Sequence, residues 1–241
     1  MGKIWIITRR ELASFFDSLI AYVLITLFLL LSGIFTWLAN TNVFFIGQAT
    51  MQVFFSIAFW SLFFFIPAIT MRMIAEENRA GTIELLITKA ISDRQIVWGK
   101  FLACLILVGV ALLTTLPYYI TISQLGNIDD GAVIGGYFGL LLLSASYISI
   151  GLFASSITQN QIVAFLFALA IGIMFQLLFD VLGSTIRGVT GEILNYLSMS
   201  VHFESISRGV VDSRDLVYFL SIIVLGTLLS QIMLSKRNWQ S

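Results

Sequence analysis

The side chains able to do chemistry in this 241-residue chain are few and fall in three places. His202 and Glu204 form an H-x-E pair, which would bind a metal ion if further ligands joined it. The chain has one His, and its one Cys, Cys104, lies far away in an apolar run, so an ordinary amphipathic helix face is the simpler reading. Asp180 is the only acid inside an apolar stretch long enough to span a bilayer. An ionisable group there either couples an ion gradient or sits at headgroup depth. The densest group lies between Arg72 and Lys100, where Glu76, Glu77, Arg79, Glu84, Asp93 and Arg94 alternate with Ile83, Leu85, Leu86 and Ile87. Apolar residues placed among charges suit docking on a partner protein better than exposure to water. The sequence has no G-x-x-x-x-G-K-S/T phosphate loop, no H-E-x-x-H, no G-x-S-x-G and no paired-cysteine metal motif. The expected catalytic and metal-ligating sets are therefore empty, and the chemistry on offer is docking and mechanical coupling.

The elements that hold these residues follow from the spacing of charge. No charged residue occurs from Ser18 to Met71, from Phe101 to Ile128 or from Gly131 to Phe179. The chain is 59% hydrophobic and 11% charged, whereas soluble domains are roughly 45–50% apolar. A charge at the centre of a membrane helix costs about 2.5–3.5 kcal/mol on insertion scales, so such runs point to lipid. A span needs roughly 20 apolar residues, which predicts an all-α polytopic membrane protein with six transmembrane helices at 19–39, 53–73, 101–123, 132–154, 161–182 and 215–235. Formal net charge is zero, which gives no basic surplus for nucleic acid. Arg9, Arg10, Glu11 and Asp17 interrupt the start and the apolar run outlasts a signal-peptide core, so the first span is expected to be retained.

Lys and Arg collect at the cytoplasmic ends of spans. One set of ends holds Lys3, Arg9, Arg10, Arg72, Arg79, Lys89, Arg94, Lys100, Lys236 and Arg237, and the other only Arg187, Arg208 and Arg214. Both termini are thus expected in the cytoplasm. Residues 1–18 place Ile4, Trp5, Leu12, Phe15 and Phe16 on one face and Arg9, Arg10, Ser14 and Asp17 on the other, the pattern of a helix lying in the interface; a plain basic flank that sets topology is the alternative. In the cytoplasmic hairpin 74–100, Gly81 can end one helix, Thr82 to Thr88 reads as a short helix, and Ser92 with Gln95 has capping-box spacing for a helix entering the third span. The outer segment 183–214 has periodic apolar residues, among them Ile193, Tyr196, Val201, Phe203 and Ile206, that fit amphipathic helices on or dipping into the outer leaflet. Gly135 and Gly139 form a G-x-x-x-G that permits close helix approach, and Pro67 and Pro117 predict kinks.

Four stretches carry a resemblance to a known family. Arg9-Arg10-Glu11-Leu12, the run from Glu76 through Gly81-Thr82-Ile83-Glu84-Leu85-Leu86 to Thr88, and Gly99-Lys100 resemble the ABC-2 type permeases of ATP-binding-cassette transporters. Val201 to Asp212, with His202, Phe203, Glu204, Arg208 and Asp212, is similar to the gliding-motility-associated permease subunit of Bacteroidetes and to relatives in nitrous oxide reductase maturation. Lys89-Ala90 departs from the pattern, because many relatives have a Pro there.

The resemblance implies a multi-pass permease subunit of the bacterial inner membrane, with an N-terminal interface helix, a coupling helix between the second and third spans, and outer helices before the sixth. It implies a cytoplasmic ABC ATPase subunit that brings the ATP and Mg2+, and a second permease protomer, identical or homologous. A periplasmic auxiliary protein and membrane lipids are further partners on this reading. ATPase coupling would fall to Glu76, Glu77, Arg79, Gly81, Thr82, Glu84, Leu85 and Leu86, support to Arg9, Arg10 and Glu11, and the outer role to His202, Phe203, Glu204, Arg208 and Asp212. Two other classes remain open from sequence: a gradient-driven transporter or channel resting on Asp180, and a non-transporting anchor of a motility complex.

Overall fold

The computed structural model describes residues 2–39, 44, 47–81 and 92–237. Among them the only regular structure is helix. Six stretches are long and apolar enough to cross a membrane: Leu19–Trp37, Gln52–Ala80, Asp93–Leu125, Asp130–Ile157, Gln161–Thr185 and Ser213–Lys236. The chain is an all-α, multi-pass membrane protein, as its charge spacing predicts.

The fourth span, α7 (Asp130–Ile157), is the axis of the bundle. Of its most apolar stretch 78% is buried inside the protein, against 22% for both the first span, α2 (Leu19–Trp37), and the fifth. Lipid tails are as apolar as Leu, so helices associate there through close packing and hydrogen bonds. The sequence of α7 supplies both. Ser146 Oγ and Ser149 Oγ reach the carbonyls of Phe219 and Ile222 at 3.5 and 3.3 Å, on the sixth span, α12 (Ser213–Arg237). A Cβ on Gly226 would lie 2.6 Å from Ser149 Oγ, and one on Gly151 would overlap Thr70 of the second span. The pairs Ser146–Phe219 and Ser149–Ile222 rise together along both chains, so α7 and α12 run parallel. The helix α1 (Lys3–Asp17), the turn after α3 (Gln52–Thr70) and the start of α5 (Asp93–Leu113) meet at one end of the bundle, the end that carries Arg10, Arg72 and Lys100.

Three spans are interrupted where the sequence predicts single helices. The second comprises α3 (Gln52–Thr70), a turn, and α4 (Ala75–Ala80). Pro67 sits inside α3 without ending it, and its carbonyl still accepts from Met71 N at 2.9 Å. The third comprises α5 (Asp93–Leu113) and α6 (Leu116–Leu125), parted at Thr114 and Thr115. Here Pro117 matters, because it has no N–H to give the Leu113 carbonyl. The fifth comprises α8 (Gln161–Ile173), a π-helical turn at Met174–Leu178, and α9 (Phe179–Thr185). Wide turns shift the register of backbone carbonyls, and the Gln176 carbonyl accepts from Ser200 Oγ at 2.8 Å.

Between the fifth and sixth spans lie α10 (Val189–Leu197) and α11 (Met199–Ser207). The Gly135/Gly139 face of α7 receives α11 rather than another span: a Cβ on Gly135 would stand 2.4 Å from the Ile206 carbonyl oxygen, and one on Gly139 would stand 3.2 Å from the Phe203 ring. Phe203 also stacks on Phe59 of α3, with ring centroids 4.9 Å apart. The helix α11 therefore seats in the bundle itself.

Candidate functional site

At the basic end, α1 (Lys3–Asp17) lies across the start of α5. Its packed face runs through Ile4, Ile7, Thr8, Glu11, Leu12 and Phe15, with Ile7, Thr8 and Phe15 buried, while Trp5 is exposed. Trp5 thus stands off the face on which the apolar pattern puts it, because a 3.6-residue period carries the i, i+3, i+4 stripe through Thr8 and Glu11 instead. Both polar residues have partners there. Thr8 Oγ1 donates to the Gly99 carbonyl at 3.1 Å, and a Cβ on Gly99 would be 2.6 Å from Ile7, so only glycine permits this approach.

Next to Gly99, Lys100 is buried, with 1% of its side chain exposed. Its Nζ lies 3.1 Å from Glu11 Oε1 on α1 and 2.9 Å from Glu77 Oε1 on α4. Arg10 completes the cluster through Glu11 and, at 3.1 Å, Glu77. Burial pulls the Glu11 carboxyl upward, but Lys100 and Arg10 together overcome it and hold the group below its ordinary value. One ammonium thus ties α1 to α4 and α5, the helices on either side of residues 82–91. A cleft of about 390 Å³ beside it is lined by Ser14, Phe15, Arg72 and Glu76 as well as the ion cluster. Arg72 covers the Phe15 ring at 5.2 Å, a cation–π contact that seats the end of α1.

The turn between α3 and α4 is held from α7. Ser155 Oγ accepts from Ile74 N and Ala75 N at 3.1 and 2.9 Å and donates to the Met71 carbonyl at 2.9 Å. A helix break leaves backbone groups without partners, and this hydroxyl meets three of them. The α4 helix ends at Gly81 with φ of 69°, a left-handed cap that favours glycine. Across the hairpin, Ser92 and Gln95 form a reciprocal capping box at the start of α5.

The coupling residues that the sequence singles out divide accordingly. Glu77 joins the ion cluster; Glu76, Arg79 and Gly81 are exposed on or just after α4. Thr82, Glu84, Leu85 and Leu86, with the short helix expected over 82–88 and the Lys89-Ala90 departure, lie outside the described residues. On α1, Arg10 and Glu11 bond into the cluster and Arg9 is exposed. Sequence reasoning counts Lys100 as a topology charge and as part of the Gly99-Lys100 resemblance without giving it a role, and overlooks Thr8 and Ser155; the polar interruption of an apolar stripe is the signal that would find Thr8.

The residues that the sequence reading assigns to the outer segment do not form one site. His202, 4% exposed, joins Asp215 at the start of α12 (Nδ1 to Oδ1, 2.6 Å) and the Tyr196 carbonyl on α10 (Nε2, 2.8 Å). Its ring stacks on Tyr218 at 3.9 Å, and Tyr218 donates to the Leu197 carbonyl at 2.6 Å. Glu204 faces away and pairs with Arg208 on the exposed side of α11. Hence the H-x-E pair does not converge, and both imidazole nitrogens are taken up in tying α10, α11 and α12 together. Asp212 accepts from Arg214 N at 3.0 Å at the start of α12; that bond, offset in part by burial, keeps its carboxyl below the usual range. Asp180 is half-buried on α9 and makes no ion pair among the described residues.

No curated protein matches the sequence. The family model described as ABC-2 family transporter protein matches residues 38–235, which takes in every span but the first, the ion-cluster residues Glu77 and Lys100, and the helices α10 and α11. Six apolar crossings and that match, over most of the chain, agree on one conclusion: the chain belongs to the ABC-2 family and is a membrane subunit of an ABC transporter.

Proposed function

We propose that this subunit receives mechanical work from a separate, nucleotide-hydrolysing ABC subunit through the hairpin 74–100. The observation that carries the reading is the buried Lys100, which holds Glu11 of α1 and Glu77 of α4 from the first turns of α5. A push on the hairpin moves both of its roots and the interface helix as one body, a two-state rearrangement of rigid parts. The basic end then faces the cytoplasm of a bacterial inner membrane, in keeping with its Lys and Arg, and Glu76, Glu77, Arg79, Glu84, Leu85 and Leu86 meet the ATPase. A second protomer, identical or homologous, completes the membrane unit. Its cargo is amphipathic or lipid-like, or an outer partner protein, because the spans offer little polar lining for a hydrated solute. The similarity of 201–212 to gliding-motility permeases favours a role in surface motility or adhesin secretion.

The test is co-purification with a candidate ABC ATPase subunit co-expressed with this chain. Glu84→Ala with Leu85→Ala lowers recovery of the ATPase and the nucleotide-dependent activity of the complex. Assembly and activity that survive both changes refute the assignment, as does labelling of a Cys placed in the hairpin by an impermeant reagent on intact cells.

A further inference from the structure

We propose that the groove between the third and fourth spans is a binding site for one acyl chain of an amine-headed phospholipid, whose amine pairs with Asp130. The groove encloses about 660 Å³ on the side of the bundle where α5 ends and α6 begins, opposite the upper half of α7. Its floor is Gly109: a Cβ there would meet nothing within 4 Å, so the backbone is open to a guest along this stretch. Its rims are Leu113 and Ile134, which are 62% and 71% exposed. A helix that faced only fluid lipid would need no such hollow, and nothing among the described residues fills it.

Depth and charge name the guest. From Asp130 to Leu141 the groove follows twelve residues of α7, or about 16 Å of helix over their eleven steps, close to half of a hydrocarbon core roughly 30 Å thick. It is one leaflet deep and ends in apolar walls, which fits an alkyl chain entering from the mouth. At the mouth Tyr119 donates its hydroxyl proton to Asp130 Oδ1 at 2.7 Å, and the carboxylate is exposed. The neighbouring Asp129 spends its carboxylate capping Gly131 N and Ala132 N. No Lys or Arg lines the groove, so the mouth presents uncompensated negative charge and favours an ammonium over a phosphate-only or glycerol headgroup. Farther in, the hydroxyls of Thr115 and Tyr137 bond to each other at 3.0 Å and make no demand on the guest. The site depends on the chain crossing the membrane and not on which partner drives it.

The experiment is native mass spectrometry of the full chain from mild detergent doped with equal amounts of phosphatidylethanolamine and phosphatidylglycerol. Wild type retains one phosphatidylethanolamine in preference to phosphatidylglycerol. Gly109→Phe fills the floor and removes that adduct, and Asp130→Asn lowers the preference by about three- to tenfold, the effect of losing one charge-assisted bond at an exposed mouth. Equal retention of the two lipids by wild type, an adduct unchanged in Gly109→Phe, or a preference unchanged in Asp130→Asn overturns the proposal. So does a dimer that Gly109→Phe dissociates, which would make the groove an interface between copies. If Gly109→Phe does not fold, the wild-type preference and the Asp130→Asn response decide the matter by themselves.

Discussion

Replacing Lys100 by Met is the sharpest probe of the basic end. Removing one partner of a buried ion pair costs about 3–5 kcal/mol, because the other is left as an uncompensated charge. Here two carboxylates lose the ammonium, but they are 12% and 18% exposed and Arg10 stays beside both, so about 2–3 kcal/mol is expected. At about 2–4 °C per kcal/mol for a chain of this size, Tm falls by about 4–12 °C. Scanning fluorimetry of the full chain in mild detergent measures it, and limited proteolysis reports whether α1 detaches. The triple variant Lys100→Met, Glu11→Gln, Glu77→Gln regains at least half of the loss, since no buried charge then lacks a partner. Acid gives an independent check with a defined sign. Glu11 titrates below its ordinary value of 4.5 in the folded chain. Its contribution is therefore complete above that value and lost as pH falls through the lower, folded one. Wild type should release α1 in that acid window, whereas Glu11→Gln should not change there. A Lys100→Met chain within about 0.5 kcal/mol of wild type, or a triple variant no better than the single, refutes the reasoning.

Other perturbations discriminate among the remaining contacts. Ser155→Ala leaves Ile74 N, Ala75 N and the Met71 carbonyl without their shared partner and lowers stability by about 1–3 kcal/mol, with faster amide exchange at 71–76 as the readout. Gly135→Val drives a side chain into the Ile206 carbonyl and dislodges α11, so thermal stability drops by about 1–3 kcal/mol or more, while Gly109→Ala, in open space, costs nothing and gains helix propensity. His202→Ala raises protease access to 189–212 by freeing both Asp215 and the Tyr196 carbonyl, whereas Glu204→Ala, which breaks an exposed pair, stays within about 0.5 kcal/mol of wild type.

The fold was legible because lipid leaves few solutions: a charge-free run of span length has to be a helix. The caps at Gly81 and Ser92 were legible as well, since each rests on local backbone chemistry. The interruptions were less so. Pro117 announces the break at Thr114 and Thr115, but Met174–Leu178 looks like ordinary membrane-helix sequence, and the partner of its shifted register, Ser200 meeting the Gln176 carbonyl, is tertiary. The close-approach motif was readable at Gly135 and Gly139, but its occupant was not, because small residues announce a near neighbour without saying which one. Likewise Lys100 is written as one more inner-end cation, and only the fold brings Glu11 and Glu77, far away in sequence, to its ammonium.

The central helix α7 is latched at both of its ends. Ser155 grips the break beneath the hairpin, and Gly135 seats the Ile206 backbone of α11. Twenty residues separate the two positions, about 30 Å of helix, which is the full thickness of the hydrocarbon core. With hydroxyl-to-backbone bonds at one end and near-contact of main chains at the other, such a push-rod has no slack. A tilt or slide imposed near Met71 must reappear across the bilayer at the outer helices, or else break one of the two latches.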